Sequence, residues 1–201
     1  MDIQFYDIKK CFDAMWSEET MNEMFDVGIQ DDRFALLSKM NEMCQVKVKT
    51  PLGDTERFSL EQIEMQGTVP APLKCAIQMD TLGRDCYINN TGLYQYRGAT
   101  CIPALGMIDD LAGVSTCSSE SIILNSIINC KVESKKLQFN WKKCVNMHFG
   151  QDVNSCQNLM IHETKMLTEK KQVYLGDTIL NSGNNDENIK RRCQIGQSAI
   201  S

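Results

Sequence analysis

A chain of 201 residues with 42% hydrophobic and 23% charged residues has room for one medium globular domain and its core, which excludes disorder as the default. Its net charge of −5 argues against a protein that holds nucleic acid by bulk electrostatics alone, since neutralising phosphates favours a basic surface. No apolar run approaches the ~18 residues of a membrane span and no basic-then-apolar leader opens the chain, so a soluble intracellular protein is expected, cytoplasmic or nuclear, with no membrane partner.

The ten cysteines are scattered without a Cys-x-x-Cys pair, and only His148 and His162 could join them in a metal site. They read as small buried hydrophobes in a reducing compartment. Lys and Arg concentrate between Lys131 and Arg192, which leaves room for a basic C-terminal half facing nucleic acid.

Ile3 to Ile8 reads as a buried strand ending at Asp7. A strand so central should have partners before it, so the expectation is a fragment lacking its upstream part. Ser17-Glu18-Glu19 predicts an N-cap with acidic first-turn residues, opening a helix that stops at Gly28. A second helix is expected from Asp31 to about Cys44. Gln45–Thr50 and Arg57–Leu60 alternate around a Pro51-Leu-Gly53-Asp54 turn, a hairpin signal.

Pro70 suits the first turn of a helix over Ala71 to Leu82, stopping at Gly83. Leu93 to Arg97 and Thr100 to Ile108 predict a strand pair, and Leu111 to Ser115 the second arm of a hairpin around Asp109-Asp110. Ser118-Ser119-Glu120 predicts the cap of a helix to about Cys130. Short strands are expected at Lys136–Asn140 and Val145–Phe149, a polar loop over Gln151–Asn158, a strand with a central glycine at Val173–Ile179, and a last helix from about Glu187.

Three strings stand out in this order: Asp7-Ile-Lys-Lys-Cys-Phe-Asp13, Gln66-Gly-Thr-Val-Pro70 and Met107-Ile-Asp-Asp110. Two carboxylates carried by distant strands are the hard oxygen donors that a pair of divalent ions needs for phosphoryl transfer. With Leu137-Gln-Phe-Asn-Trp-Lys-Lys-Cys144, Tyr174-Leu-Gly176 and Ile189-Lys-Arg-Arg192, the pattern resembles the reverse transcriptase of non-long-terminal-repeat, LINE-like retrotransposons over nearly the whole chain. That resemblance implies an α+β polymerase palm, with an antiparallel sheet and packed helices, at residues 1–162. A primer-grip hairpin would follow at 163–182 and the start of a helical thumb at 183–201, with fingers missing and thumb truncated.

The resemblance also implies roles. Asp7, Asp109 and Asp110, with the backbone carbonyl of Ile8, would hold Mg²⁺ or Mn²⁺, and Lys143 (or else Lys142) would protonate pyrophosphate. Phe12 would gate against a 2′-hydroxyl, Gln66 and Gly67 would lie along the nucleotide, and Lys9 and Lys10 would either meet its phosphates or face solvent. Tyr174, Leu175 and Gly176 would grip the primer. Partners would be an RNA template, a DNA primer, deoxynucleoside triphosphates and the missing fingers and thumb of the parent polyprotein. Met107 stands where the family has an aromatic residue and Ala71 where it has serine. The implied activity is RNA-directed DNA polymerisation, with the isolated chain inactive. The rivals are a viral RNA-dependent RNA polymerase, which Asp7 and Asp13 would also fit, and a non-catalytic palm kept as a binding module.

Overall fold

The computed structural model describes residues 1–59, 68–88, 93–94, 101–150 and 159–200. β1 (Asp2–Asp7) leads through Lys10 to α1 (Cys11–Ala14), α2 (Ser17–Asp26) and α3 (Asp31–Glu42). The expected ribbon follows, Gln45–Val46 pairing with Phe58–Ser59 and Lys49–Thr50 with Gly53–Asp54. Next come α4 (Ala71–Ile88), the hairpin of β2 (Ala104–Met107) and β3 (Asp110–Ser115), and α5 (Ser118–Ser134). β4 (Val145–His148), β5 (Leu167–Thr168), the hairpin of β6 (Lys171–Tyr174) and β7 (Asp177–Leu180), and α6 (Asp186–Ile200) complete the chain.

Five strands form one sheet in the order β5-β4-β1-β3-β2, so β1 lies at its centre. β1 runs antiparallel to β3 from Asp2 opposite Ser115 to Asp7 opposite Asp110, and antiparallel to β4 on its other side. Only the short β4–β5 pair is parallel. Side chains alternate across a strand, so Phe5 and Tyr6 enter different cores. Tyr6 and Leu111 pack under Cys75, Met79 and Leu82 of α4 and Leu124, Ile128 and Val132 of α5. Phe5, Ala112 and Met147 face the other way, towards Tyr174 and Ile179 of the β6–β7 hairpin.

Polar groups that β1 takes into the interior are hydrogen-bonded, as burial demands. Gln4 Nε2 donates to the Ser121 carbonyl at 2.9 Å, and the Tyr6 hydroxyl meets Asn125 Oδ1 at 3.0 Å. The buried Asp2 carboxylate accepts from Ser121 Oγ at 2.8 Å and lies 2.6 Å from His148 Nδ1. α6 is fastened to the β6–β7 hairpin by Asn188, whose amide bonds both the N–H and the carbonyl of Thr178 at 2.6 Å.

Several sequence expectations shift. Ser17 is the first helical residue and not the cap; Trp16 precedes it and accepts from the Thr20 hydroxyl at 2.8 Å. α4 runs through Gly83, because Cys75, Met79, Leu82 and Cys86 continue a single buried face that outweighs one glycine's propensity cost. The strand expected over Thr100–Ile108 divides into Cys101–Ile102 and β2, with Pro103 between them. α5 extends beyond Cys130, to Ser134.

Lys136–Asn140 is not a strand and touches the sheet through one bridge, Phe139 to Ile8. Lys136 at φ 56° turns the chain there. Val173–Ile179 is a tight hairpin and not one strand, turning at Leu175 (φ 49°) and Gly176 (φ 82°), both in the left-handed region its two-residue loop requires. The loop expected over 151–158 lies outside the described residues. Among the described residues, no helix is long and apolar enough to cross a membrane.

Candidate active site

The end of β1 is held by its backbone. The Asp7 carbonyl accepts the Asn140 N–H at 2.8 Å, the Asp7 N–H points at Cys144 Sγ at 3.4 Å, and the Lys9 N–H donates to the Gln138 carbonyl at 2.8 Å. Burial pushes the Cys144 thiol up to about 11, so it keeps its proton and can also donate to the Asp7 carbonyl at 3.7 Å. Asp7 therefore leaves the sheet on a fixed stem.

The second carboxylates arrive on the β2–β3 hairpin. Met107 pairs with Asp110, leaving Ile108 and Asp109 as a two-residue turn. Ile108 adopts φ 59°, a conformation that costs a β-branched residue about 1–2 kcal/mol and is tolerated where the surroundings enforce it. The β1–β3 register then sets Asp110 directly opposite Asp7.

A cavity of about 370 Å³ opens at this point, with Asp7, Ile8, Phe12, Asp109, Asn140 and Lys143 among its lining. Lys143 Nζ lies 3.4 Å from Asp7 Oδ1, an exposed and therefore weak ion pair. Asp110 is held above the usual carboxylate range, first by partial burial and then by the charges of Asp109 and Asp7, while Lys143 pulls it back. Three acids thus crowd one corner of the sheet, with the Lys143 ammonium group paired to Asp7.

Phe12 lines the same cavity and packs its inner side against the core. Lys10, in left-handed conformation at the head of α1, lines it too, as do Lys9 and Asp13. Lys142 sits instead over the Trp141 ring at 5.3 Å, so of these two adjacent lysines it is Lys143 that reaches Asp7. Gln66 and Gly67 lie outside the described residues. Tyr174 packs on Phe5 with ring centroids 5.4 Å apart, and its hydroxyl donates towards the carbonyls of Leu105 at 3.2 Å and Asp110 at 3.4 Å. Burial, with the charge of Asp110, raises the Tyr174 phenol and keeps it a donor. Leu175 and Gly176 form the tip of that hairpin, and Arg191 of α6 bonds the Gly176 carbonyl.

Sequence reasoning missed Asn140 and Cys144 as supports of Asp7. Both act on main-chain atoms, and their only sequence mark was nearness to Lys143.

The donors are hard oxygens, which suits Mg²⁺ or Mn²⁺. Among the described residues no three His, Cys, Asp or Glu side chains converge to enclose an ion by themselves. A divalent ion here would complete its shell with backbone, water or substrate oxygens, as Mg²⁺ commonly does at phosphate-transfer sites.

Solved structures share this fold. Apo telomerase from Candida tropicalis superposes with a TM-score of 0.67 at 13% identity, covering 90% of this chain and 31% of that one. Telomerase from Candida albicans, in complex with a fragment of telomeric RNA, gives 0.62 at 14% identity, covering 91% and 31%. The chain therefore spans under a third of the length of these telomerases. Among curated proteins nothing matches the sequence. The profile of the family described as reverse transcriptase (RNA-dependent DNA polymerase) matches residues 3–179. With most of its length inside that profile and a palm-like sheet beneath it, the chain belongs to the reverse transcriptase family, the RNA-dependent DNA polymerases.

Proposed function

We propose that this chain is the catalytic palm of an RNA-directed DNA polymerase of the non-long-terminal-repeat, LINE-like retrotransposon class. Residues 1–162 are its palm, 163–182 its primer-grip hairpin and 183–201 the opening of its thumb. The observation that carries the reading is the β1–β3 register, which makes Asp7 and Asp110 cross-strand partners while Asp109 lines the same cavity as Asp7. Phe12 and the Gln66-Gly-x-x-Pro70 string favour this reading over a viral RNA-dependent RNA polymerase, and the subtype rests on the resemblance of the whole ordered motif series.

Asp7, Asp109 and the Ile8 carbonyl would hold Mg²⁺ or Mn²⁺, with Asp110 in support. When bound, the ions would activate the primer 3′-hydroxyl and neutralise charge on the departing pyrophosphate. The chain's own groups do the rest. Lys143, poised beside Asp7, carries a proton for the leaving pyrophosphate. Phe12, wedged against the core, presents a rigid edge that a ribose 2′-hydroxyl would strike. Lys10 meets the phosphates, and Gln66 and Gly67 lie along the nucleotide. Tyr174 braces the hairpin that carries Asp109, so the primer grip formed with Leu175 and Gly176 is tied mechanically to the acids. The partners are an RNA template, a DNA primer, deoxynucleoside triphosphates, and the fingers and full thumb of a longer parent. Without those segments the palm closes poorly on primer-template, and the isolated chain is inactive.

The test is primer extension on poly(rA)/oligo(dT) by the chain fused to the fingers and thumb of a related element. Native fusion should extend the primer, and Asp109→Asn should lower the rate by roughly a hundredfold or more, since it removes charge where transition-state charge must be balanced. A folded fusion inactive in both forms would favour a non-catalytic palm acting as a binding module.

A further inference from the structure

Two buried sulfurs meet between α1 and α4. Cys11 Sγ and Cys75 Sγ lie 3.6 Å apart, and their residues are 3% and 0% exposed. Cys11 opens α1, between Lys10, whose left-handed backbone at φ 50° turns the chain off β1, and Phe12, which lines the acid cavity. Cys75 lies just past the first turn of α4 and faces inward with Met79, Leu82 and Cys86. The pair thus joins two elements whose cysteines stand 64 positions apart in the chain.

The two surroundings differ in a way that decides the chemistry. Cys11 is part of the lining of the cavity of about 370 Å³ at the acids, which has room for a molecule as small as hydrogen peroxide. Cys75 is sealed behind it in the same core. A thiol that an oxidant can reach, set against one that it cannot, is the pairing in which the first is oxidised and the second resolves it.

We propose that Cys11 and Cys75 form a peroxide-sensitive dithiol, a modification site at which a hydroperoxide converts the pair to a disulfide and switches off the acid site beside it. The Cys11 sulfur gives its proton to water and attacks a peroxide oxygen. The O–O bond breaks, the departing hydroxide recovers a proton and leaves as water, and Cys11 becomes a sulfenic acid. The Cys75 sulfur then attacks Cys11 Sγ: the S–S bond forms, the S–O bond breaks, and hydroxide leaves with the Cys75 proton as a second water. Two thiols and one peroxide give one disulfide and two waters, with two electrons passing from sulfur to oxygen. Closing the sulfurs from 3.6 Å to the ~2.05 Å of a disulfide draws α1 against α4 and carries Lys10 and Phe12 with it. The effect on activity rests on the polymerase reading; the disulfide itself does not.

The full chain carrying Cys117→Ser, Cys130→Ser and Cys193→Ser, which removes exposed thiols, is treated with hydrogen peroxide, alkylated, digested and mapped by mass spectrometry. The Cys11 and Cys75 peptides should be found linked, lighter by two hydrogens, and should separate on treatment with dithiothreitol. In Cys75→Ala the Cys11 sulfur should stop at the sulfenic acid, trapped by dimedone, whereas in Cys11→Ala the Cys75 sulfur should stay a thiol. Peroxide that leaves both thiols reduced, a link from either cysteine to a different one, or oxidation of Cys75 in Cys11→Ala would overturn the site. The linkage is mapped with Cys11 and Cys75 both native, so that test stands even where an alanine variant does not fold. In the fusion to fingers and thumb, oxidation should lower primer extension roughly tenfold or more, as an ångström-scale misplacement beside reacting groups does, and dithiothreitol should restore it. The Cys75→Ala fusion should keep its rate under peroxide. An unchanged rate once the disulfide has formed would overturn the switch. A fusion that forms the disulfide but extends no primer when reduced would sink the polymerase reading and leave the dithiol site standing.

Discussion

Asp110 keeps a proton more readily than an ordinary aspartate, because it is partly buried and faces Asp109 and Asp7. Its raised folded pKa means that the folded chain binds more protons than the unfolded one across the interval between the ordinary and the raised values. The penalty is therefore absent below the ordinary carboxylate range, grows as pH rises through that interval, and is complete above it. Asp110→Asn should make the metal-free protein more stable at pH 7, with the advantage shrinking as the pH is lowered towards the ordinary range. Urea denaturation at several pH values measures this, and an advantage that stays constant or grows on acidification would refute the crowding. Asp7 differs in being supported mainly through its main chain, by Asn140 and Cys144, so its position survives changes in side-chain charge.

At the scale of elements, the close approach of α5 to β3 depends on Gly113. A Cβ there would lie 2.9 Å from Leu124 Cδ2 and 3.4 Å from its Cγ, and Leu124 is fully buried with little room to retreat. Gly113→Ala should destabilise the fold by about 1–3 kcal/mol through overpacking, read as a lower denaturation midpoint at unchanged slope. An unchanged midpoint would mean that α5 can slide away from the sheet. The elements that were legible in the sequence have local causes: β1 as an apolar run into Asp7, the hairpin around Asp109-Asp110, and the stop of α2 at Gly28. Those that were not depend on tertiary packing or backbone shape. α4 passes Gly83 because Cys86 has a buried place to fill, and Lys136 turns the chain where no glycine announces a turn. The site divides the same way. The strings proposed Asp7, Asp109 and Lys143, which the fold brings to one cavity, whereas Asn140 and Cys144 work through backbone atoms that no side-chain pattern reveals.

Across the whole molecule, an acidic chain places Asp7, Asp109 and Asp110 at one sheet corner, beside a cavity also lined by Lys9, Lys10 and Lys143. On the proposed reading, phosphates would be met by these local lysines, which would answer the objection raised by the net charge without a basic surface overall. The proposed metal site would couple ion binding to folding: an ion held by the folded acids and not by the unfolded chain would stabilise the protein by RT ln(1 + [M]/Kd), about 2.7 kcal/mol at a hundredfold excess over Kd. The most direct measurement is the thermal denaturation of the native chain and of Asp109→Asn across a Mn²⁺ titration. The account predicts a melting temperature that rises with Mn²⁺ in the native chain and a clearly smaller rise in Asp109→Asn; equal rises in both, or none in the native chain, would contradict a metal site at Asp7 and Asp109.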